Sequence, residues 1–209
     1  MTLLARVPPG RAGRMWLHRR LGTAERGRDQ LDRKLRVLLP DLQRLRIQAD
    51  RRRAEWEAAC GDADTWLLRA VLIGGHDVIR HATPPDLADV ELSWTTAIGV
   101  SFPSDAQLSA SSQTAPAVVG NAATTPAIAA FRTALQTGIR AAAAEEAIRR
   151  MEAEVDVTRR RLRALDKRWL PALHQALSEL EMSLAQAEQE DATRLRRAAV
   201  APADPRYPP

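Results

Sequence analysis

From Leu17 to Ala70 the apolar residues recur at alternating steps of four and three, and no other property of the sequence restricts the possible folds so strongly. One series is Leu17, Ala24, Leu31, Leu38, Leu45, Arg52, Ala59 and Trp66. Its companion, four residues on, is Leu21, Arg28, Leu35, Leu42, Ala49, Trp56, Ala63 and Ala70. Fourteen of these sixteen positions are apolar, where a 45% hydrophobic chain would place about seven. Only one proline, Pro40, falls between Gly10 and Gly75. A helix over this stretch would be on the order of 90 Å long, with an apolar stripe too narrow to make it stable alone in water. It requires a partner helix.

The C-terminal part supplies one. From about residue 126 a second stripe runs through Ile148, Met151, Val155, Thr158, Leu162, Leu165, Trp169, Leu173, Leu177, Leu180, Leu184 and Ala187. Between Trp169 and Leu177 the steps are four and four, so the seam slips phase by one residue and the helix should unwind locally. Pro171 lies in the slip. A proline inside a helix removes one backbone hydrogen bond, at about 3 kcal/mol, so Pro40 and Pro171 both predict a bend.

Between the helices the composition changes, with no Lys or Arg from His81 to Phe131. Val90, Leu92 and Trp94 alternate with Glu91, Ser93 and Thr95, and Ile98, Val100 and Phe102 alternate with Gly99 and Ser101, the pattern of a short β-hairpin. Residues 104–125 are rich in Ala, Ser and Thr and read as a mobile loop; residues 201–209, with four prolines, read as a disordered tail. The expectation is a mainly α protein in four segments. A long N-terminal helix occupies 1–82, a small non-helical cap with its hairpin 83–125, a long C-terminal helix 126–200, and the tail 201–209. The long helices fold back as an antiparallel two-helix coiled coil, both termini at one end and the insertion at the other.

Known chemistry is not indicated. There is no GxxxxGK[ST] loop, no HExxH and no GxSxG, and His76 and His81 stand about 140° apart on a helix. No catalytic residue, metal site or cofactor is expected. A lone cysteine, Cys60, excludes an internal disulfide, and neither a signal-peptide core nor an apolar run of membrane-spanning length is seen. The formal charge of +5 leaves an acidic partner open. Fourteen Lys or Arg face five acids between Arg11 and Arg53. The tryptophans Trp16, Trp56, Trp66 and Trp169 are not interleaved with cations as a nucleic-acid stacking platform requires, and read as core. Arg28 and Arg52, charges at seam positions, are placed to set register or meet a partner.

Three segments resemble one family, the D subunit of V-type and archaeal-type rotary ATPases. Pro9-Gly10-Arg11 followed by Leu17, Leu21, Ala24, Gly27, Leu31 and Lys34 is similar to the family's opening. Ile98-Gly99-Val100-Ser101-Phe102-Pro103 is similar to its Met-Gly-Val-x-Val-Pro strand. In residues 154–197, Thr158-Arg159-Arg160-Arg161-Leu162 with Ala164-Leu165, then Pro171, then Glu190 and Thr193-Arg194-Leu195 resemble its last helix. Pro40 and the small-residue loop after Pro103 depart from the pattern.

The resemblance implies a non-catalytic rotor shaft that transmits torque between an ATP-hydrolysing ring of A and B subunits and the ion-translocating membrane ring. The paired helix ends would enter the A/B ring, the small F subunit would bind the side of the coiled coil, and the cap would face the funnel-shaped C (or d) subunit. The whole would lie on the cytoplasmic side of the membrane in a peripheral sector, with no nucleic acid, no small-molecule ligand and no membrane insertion. Candidate ring contacts are Arg11, Arg14, Arg19, Arg20, Arg194, Arg196 and Arg197. A generic coiled-coil adaptor or nucleic-acid-associated basic protein is the alternative, and a gamma-type shaft, with its larger α/β insertion, ranks lower.

Overall fold

The computed structural model describes residues 7–82, 88–109 and 120–200, the side chains of His81 and Val200 excepted. Helix α1 covers Gly10–Gly74, α2 Asp77–Ala82, strand β1 Val90–Ala97, β2 Val100–Leu108, α3 Thr124–Ala164 and α4 Leu170–Val200; a π turn, Leu165–Trp169, joins α3 to α4. These residues form two compact units, one made of Lys34–Thr158 and the other of the residues before and after it. The protein is mainly helical, as the stripes require, with one small antiparallel hairpin.

In the terminal unit, Leu17, Ala24, Leu170 and Leu173 are buried together, and Trp16, Leu21, Leu165, Trp169, Leu177 and Leu180 pack around them. Arg11 pairs with Glu188 at 3.4 Å and His18 approaches Glu181 at 3.9 Å, so seven residues forward on α1 match seven back on α4. The helices are antiparallel. Leu31, Leu162 and Leu184 are half-buried, and the stripe ends there, since Ala187 and all described side chains beyond it are exposed.

The phase slip has a structural counterpart. The Leu170 N–H reaches back five residues to the Leu165 carbonyl, the signature of a π turn, which inserts one residue into the helical count. The seam steps of four and four carry that same extra residue. Continuing the five-residue pattern would need an N–H at position 171, and proline has none, so the turn ends at Pro171. At Pro40, by contrast, α1 continues without interruption.

In the Lys34–Thr158 unit, α1 buries Leu35, Leu38, Leu42, Ala49, Ala63 and Ala70. Leu45, Trp66 and Ile148 are half-buried. The facing helix α3 answers with Ala127, Ala134, Ala141, Ala144, Met151 and Val155. Ala127, Ala134, Ala141, Ile148 and Val155 are spaced by seven, so the C-terminal stripe begins well before Ile148, where leucines first make it visible. Lys34–Glu154 (2.6 Å), Arg46–Glu152 (2.5 Å) and Arg53–Glu145 (3.9 Å) again run antiparallel. The buried Thr158 hydroxyl donates to Glu154 at 3.4 Å, so this polar seam position is satisfied.

Two boundary expectations change. Ile98 is not in a strand: Ile98 (φ 51°) and Gly99 (φ 81°) form the two-residue turn, and positive φ at both positions matches the right-handed twist of a hairpin. Residues 104–108 are not loop but belong to β2, with Ser104 as the extra residue of a bulge between the Ser93–Asp105 and Trp94–Pro103 pairs. The bulge admits Pro103, which has no N–H for a regular ladder. Residues 110–119 and the tail 201–209 lie outside the described residues. Helix α3 starts at Thr124 because Asn121 caps it, its Oδ1 accepting the Ala123 N–H at 2.9 Å. The same side chain donates from Nδ2 to the Ala70 carbonyl at 2.9 Å, tying the start of α3 to the last turns of α1.

Leu38→Ala should therefore lower unfolding free energy by about 2–5 kcal/mol, whereas exposed Leu72→Ala should change it by no more than about 0.5 kcal/mol. Urea titration followed by helical circular dichroism measures both.

Candidate interaction surfaces

The hairpin does not extend beyond the helix pair of its unit; it lies along it. Gln136 bridges two backbone groups of β2, donating to the Ala106 carbonyl and accepting from the Leu108 N–H, both at 3.2 Å. Arg150, fourteen residues further along α3, donates to the Ser101 carbonyl at 3.4 Å. That interval is about 21 Å of helix, and Ser101 to Leu108 is about 23 Å of strand, so strand and helix run side by side. Ala143 and Ala147, at helical spacing between Arg140 and Arg150, are buried on that face, as are Val100, Phe102 and Ala106 of β2. Small side chains on the helix let the strand approach closely.

Arg52 completes the attachment. It interrupts the apolar series of α1 because its side chain leaves the seam for the hairpin. It donates to the carbonyl of the bulged Ser104 at 3.4 Å and to the Arg140 carbonyl at 3.3 Å, and lies 3.7 Å from Asp105. Arg140 approaches the same carboxylate at 3.8 Å; this is an ion pair without a hydrogen bond, and the buried Arg140 Nε has no hydrogen-bond partner. One carboxylate thus serves two guanidinium groups. Arg28, the other seam cation, is exposed and bonds its neighbour Asp29 at 2.7 Å; that bond, with the charges of Asp29, Asp166 and Glu25, raises its already high pKa further.

At the hairpin's tip, Arg150 stacks over Trp94 at 4.9 Å and also donates to Glu146 at 2.7 Å. This hydrogen bond, with the charges of Arg149 and Arg150, holds the Glu146 carboxyl below the usual carboxylate range. Sequence reading missed Gln136, Arg140, Arg150 and Asp105. Their only signal is the three- and four-residue spacing of Gln136, Arg140, Ala143, Ala147 and Arg150 along a second helical face.

The candidate ring contacts fall into two groups. Arg11, Arg14, Arg19 and Arg20 stand on the paired part of α1, where Arg11 bonds Glu188 and Arg20 covers the Trp16 ring at 4.8 Å. Arg194, Arg196 and Arg197 follow Glu188, the residue opposite Arg11, on the exposed last turns of α4. Among the described residues, Arg194 pairs only within its own helix, to Glu190 (3.7 Å) and Asp191 (3.8 Å). All seven are exposed, and among the described residues Arg14, Arg19, Arg196 and Arg197 have no ion pair.

Trp56, a seam position, is 39% exposed rather than core. Its indole lies over Gly138, where a Cβ would stand 3.0 Å from Nε1, so even alanine would crowd it. Trp56, Cys60, Phe131 and Leu135 line a groove of about 500 Å³, and a second apolar groove of about 590 Å³ shares Phe131 and Leu135 and continues to Leu67 and Ile79. Among the described residues, no three His, Cys, Asp or Glu side chains converge as a metal site would need, and no helix is long and apolar enough to cross a membrane.

Each of the two units is built on a pair of antiparallel helices, and the Lys34–Thr158 unit carries the hairpin along its pair. The sequence pattern of the ATP synthase D subunit family matches residues 15–199, and the chain belongs to that family. It is 28% identical to the V-type ATP synthase D subunit of Thermotoga neapolitana, over 91% of this chain and 96% of that protein. The V-type ATP synthase D subunit of Thermus thermophilus is 29% identical (93% and 88% covered), and the A-type ATP synthase D subunit of Haloquadratum walsbyi 27% (91% and 85%).

Two outcomes follow from the hairpin attachment. Asp105→Asn leaves Arg52 and Arg140 facing each other without a counter-charge; it should cost roughly 1 kcal/mol in urea unfolding at low salt and less at high salt. For Glu146, a carboxyl with a depressed folded-state pKa contributes stability above its unfolded value, and that contribution is lost as pH falls through the folded value. Carbon-detected NMR titration should place Glu146 below about 4.3, the ordinary glutamate value, and Arg150→Ala should move it upward.

Proposed function

We propose that this chain is the central rotor shaft of a V/A-type rotary ATPase or ATP synthase, a non-catalytic subunit carrying torque between the A/B ring and the membrane ring. The observation that carries the reading is family membership over residues 15–199 together with the paired, antiparallel helices that those residues form. A torque-bearing element must resist twisting, and helices closed by a packed seam do so because interiors at crystal-like density transmit strain instead of absorbing it. It must also turn against its housing without lodging in one apolar contact. The terminal unit suits this, since its outer face is polar and rich in arginine.

On this reading the paired ends enter the A/B ring, where Arg11, Arg14, Arg19, Arg20, Arg194, Arg196 and Arg197 meet acidic loops in passing. The F subunit takes the side of the helix pair, where the groove at Trp56, Phe131 and Leu135 offers an apolar surface. The funnel-shaped subunit takes the end bearing α2. The complex sits on the cytoplasmic side of the membrane as a peripheral sector. Four segments with borders near residues 82, 125 and 200 describe the division of labour: shaft, cap, shaft and tail.

Co-expression with the A, B and F subunits, followed by isolation and an ATPase assay with and without this chain, tests the proposal. Co-purification and chain-dependent coupling are expected; failure to associate, or salt-sensitive duplex binding in its place, would overturn it. Replacing the seven arginines by glutamine should weaken ring affinity about tenfold, the sum of several exposed charges each contributing little, while leaving helix content unchanged.

A further inference from the structure

The two edges of the hairpin are treated differently. Along the free edge of β2, the carbonyls of Ser101, Ser104 and Ala106 and the N–H of Leu108 are all taken by side chains of Arg150, Arg52 and Gln136. Along β1, among the described residues, the one side-chain hydrogen bond to the backbone comes from the Ser104 hydroxyl to the Ser93 carbonyl, within the hairpin itself. Every residue of β1 before Ala97 is exposed. Among the described residues, half of its backbone groups therefore point outward with no protein partner, and such a row can accept another extended backbone.

Apart from the charge of Glu91, the usual protection of such an edge is missing. β1 (VELSWTTA) contains no lysine, no proline and no bulged residue of its own. Its alternation leaves Val90, Leu92 and Trp94 as an apolar row, 44–51% exposed, against which the side chains of an added strand could pack. Charge then narrows the occupant. Glu91 is exposed and, among the described residues, has no ion pair; no Lys or Arg occurs from His81 to Phe131, so the one charge a second copy of β1 could bring to it is another acid. A strand carrying Lys or Arg opposite Glu91 would not meet that repulsion.

We propose that the outer edge of β1, Val90–Ala97, is a docking site for an extended, cation-bearing strand of another subunit of the assembly, which adds to the hairpin as a third strand. This rests on the reading that the chain works inside a multisubunit complex. A third strand would also give a two-stranded ribbon the width at which sheets become independently stable.

The test is hydrogen–deuterium exchange of the full chain, alone and in complex with the co-expressed subunits. Amides of residues 90–97 should exchange at least about tenfold more slowly in the complex, and Leu92→Lys should weaken binding of the protecting subunit about tenfold with helix content intact. Unchanged exchange at β1 in a complex that does form would overturn this inference alone. So would Leu92→Lys binding within about twofold of the original chain, or protection that rises with concentration of the chain by itself, which would assign the edge to a second copy. Failure to form any complex would overturn the functional reading and this inference with it.

Discussion

Both units depend on one requirement: each long helix carries an apolar stripe that it cannot hide by itself. At about 1.5–3 kcal/mol for each fully buried leucine, the residues Leu17, Leu35, Leu38, Leu42, Leu170 and Leu173 supply the main favourable contribution. Surface ion pairs such as Arg11–Glu188 contribute far less, and fix direction more than stability. The other features, namely the π turn, the capped start of α3 and the attached hairpin, are adjustments to that pairing.

How legible these features are depends on which side chains carry them. The N-terminal stripe is written in leucines, so simple counting finds it, and the same counting locates the phase slip that the π turn accommodates. The first half of α3 is written in alanines. Ala127, Ala134 and Ala141 occupy seam positions, yet alanine serves equally well on an exposed helical face, so its periodicity carries little contrast. By sequence the stripe therefore becomes visible only at Ile148, although its seam positions begin at Ala127. Trp56 errs in the other direction, a large ring at a seam position that turns out onto a glycine because the alanine-lined interface is too narrow to take it.

The hairpin shows a second limit. Its existence follows from alternation, but its placement does not, because the groups that hold it are mainly strand carbonyls met by long polar side chains. A carbonyl has no letter in the sequence. Arg52 is the one hint, a cation where a leucine belongs, and what it meets is an element of the same chain. Arg28, a cation in the companion series, turns to its neighbour Asp29 instead. Two departures of the same kind thus have different causes, and only the surrounding structure separates them.

The π turn has an effect that reaches beyond its five residues. Inserting one residue into a helix rotates everything after it by about 100° relative to what precedes it. Leu173 and Leu177 come back onto the seam because of that rotation, and every polar residue of α4 is turned with them. The azimuth at which Arg194, Arg196 and Arg197 are presented is therefore fixed well upstream, at Leu165–Trp169, by a local change of helical count rather than by any contact those arginines make. The turn acts as an angular offset written once into the chain, and the last helix inherits it along its full length.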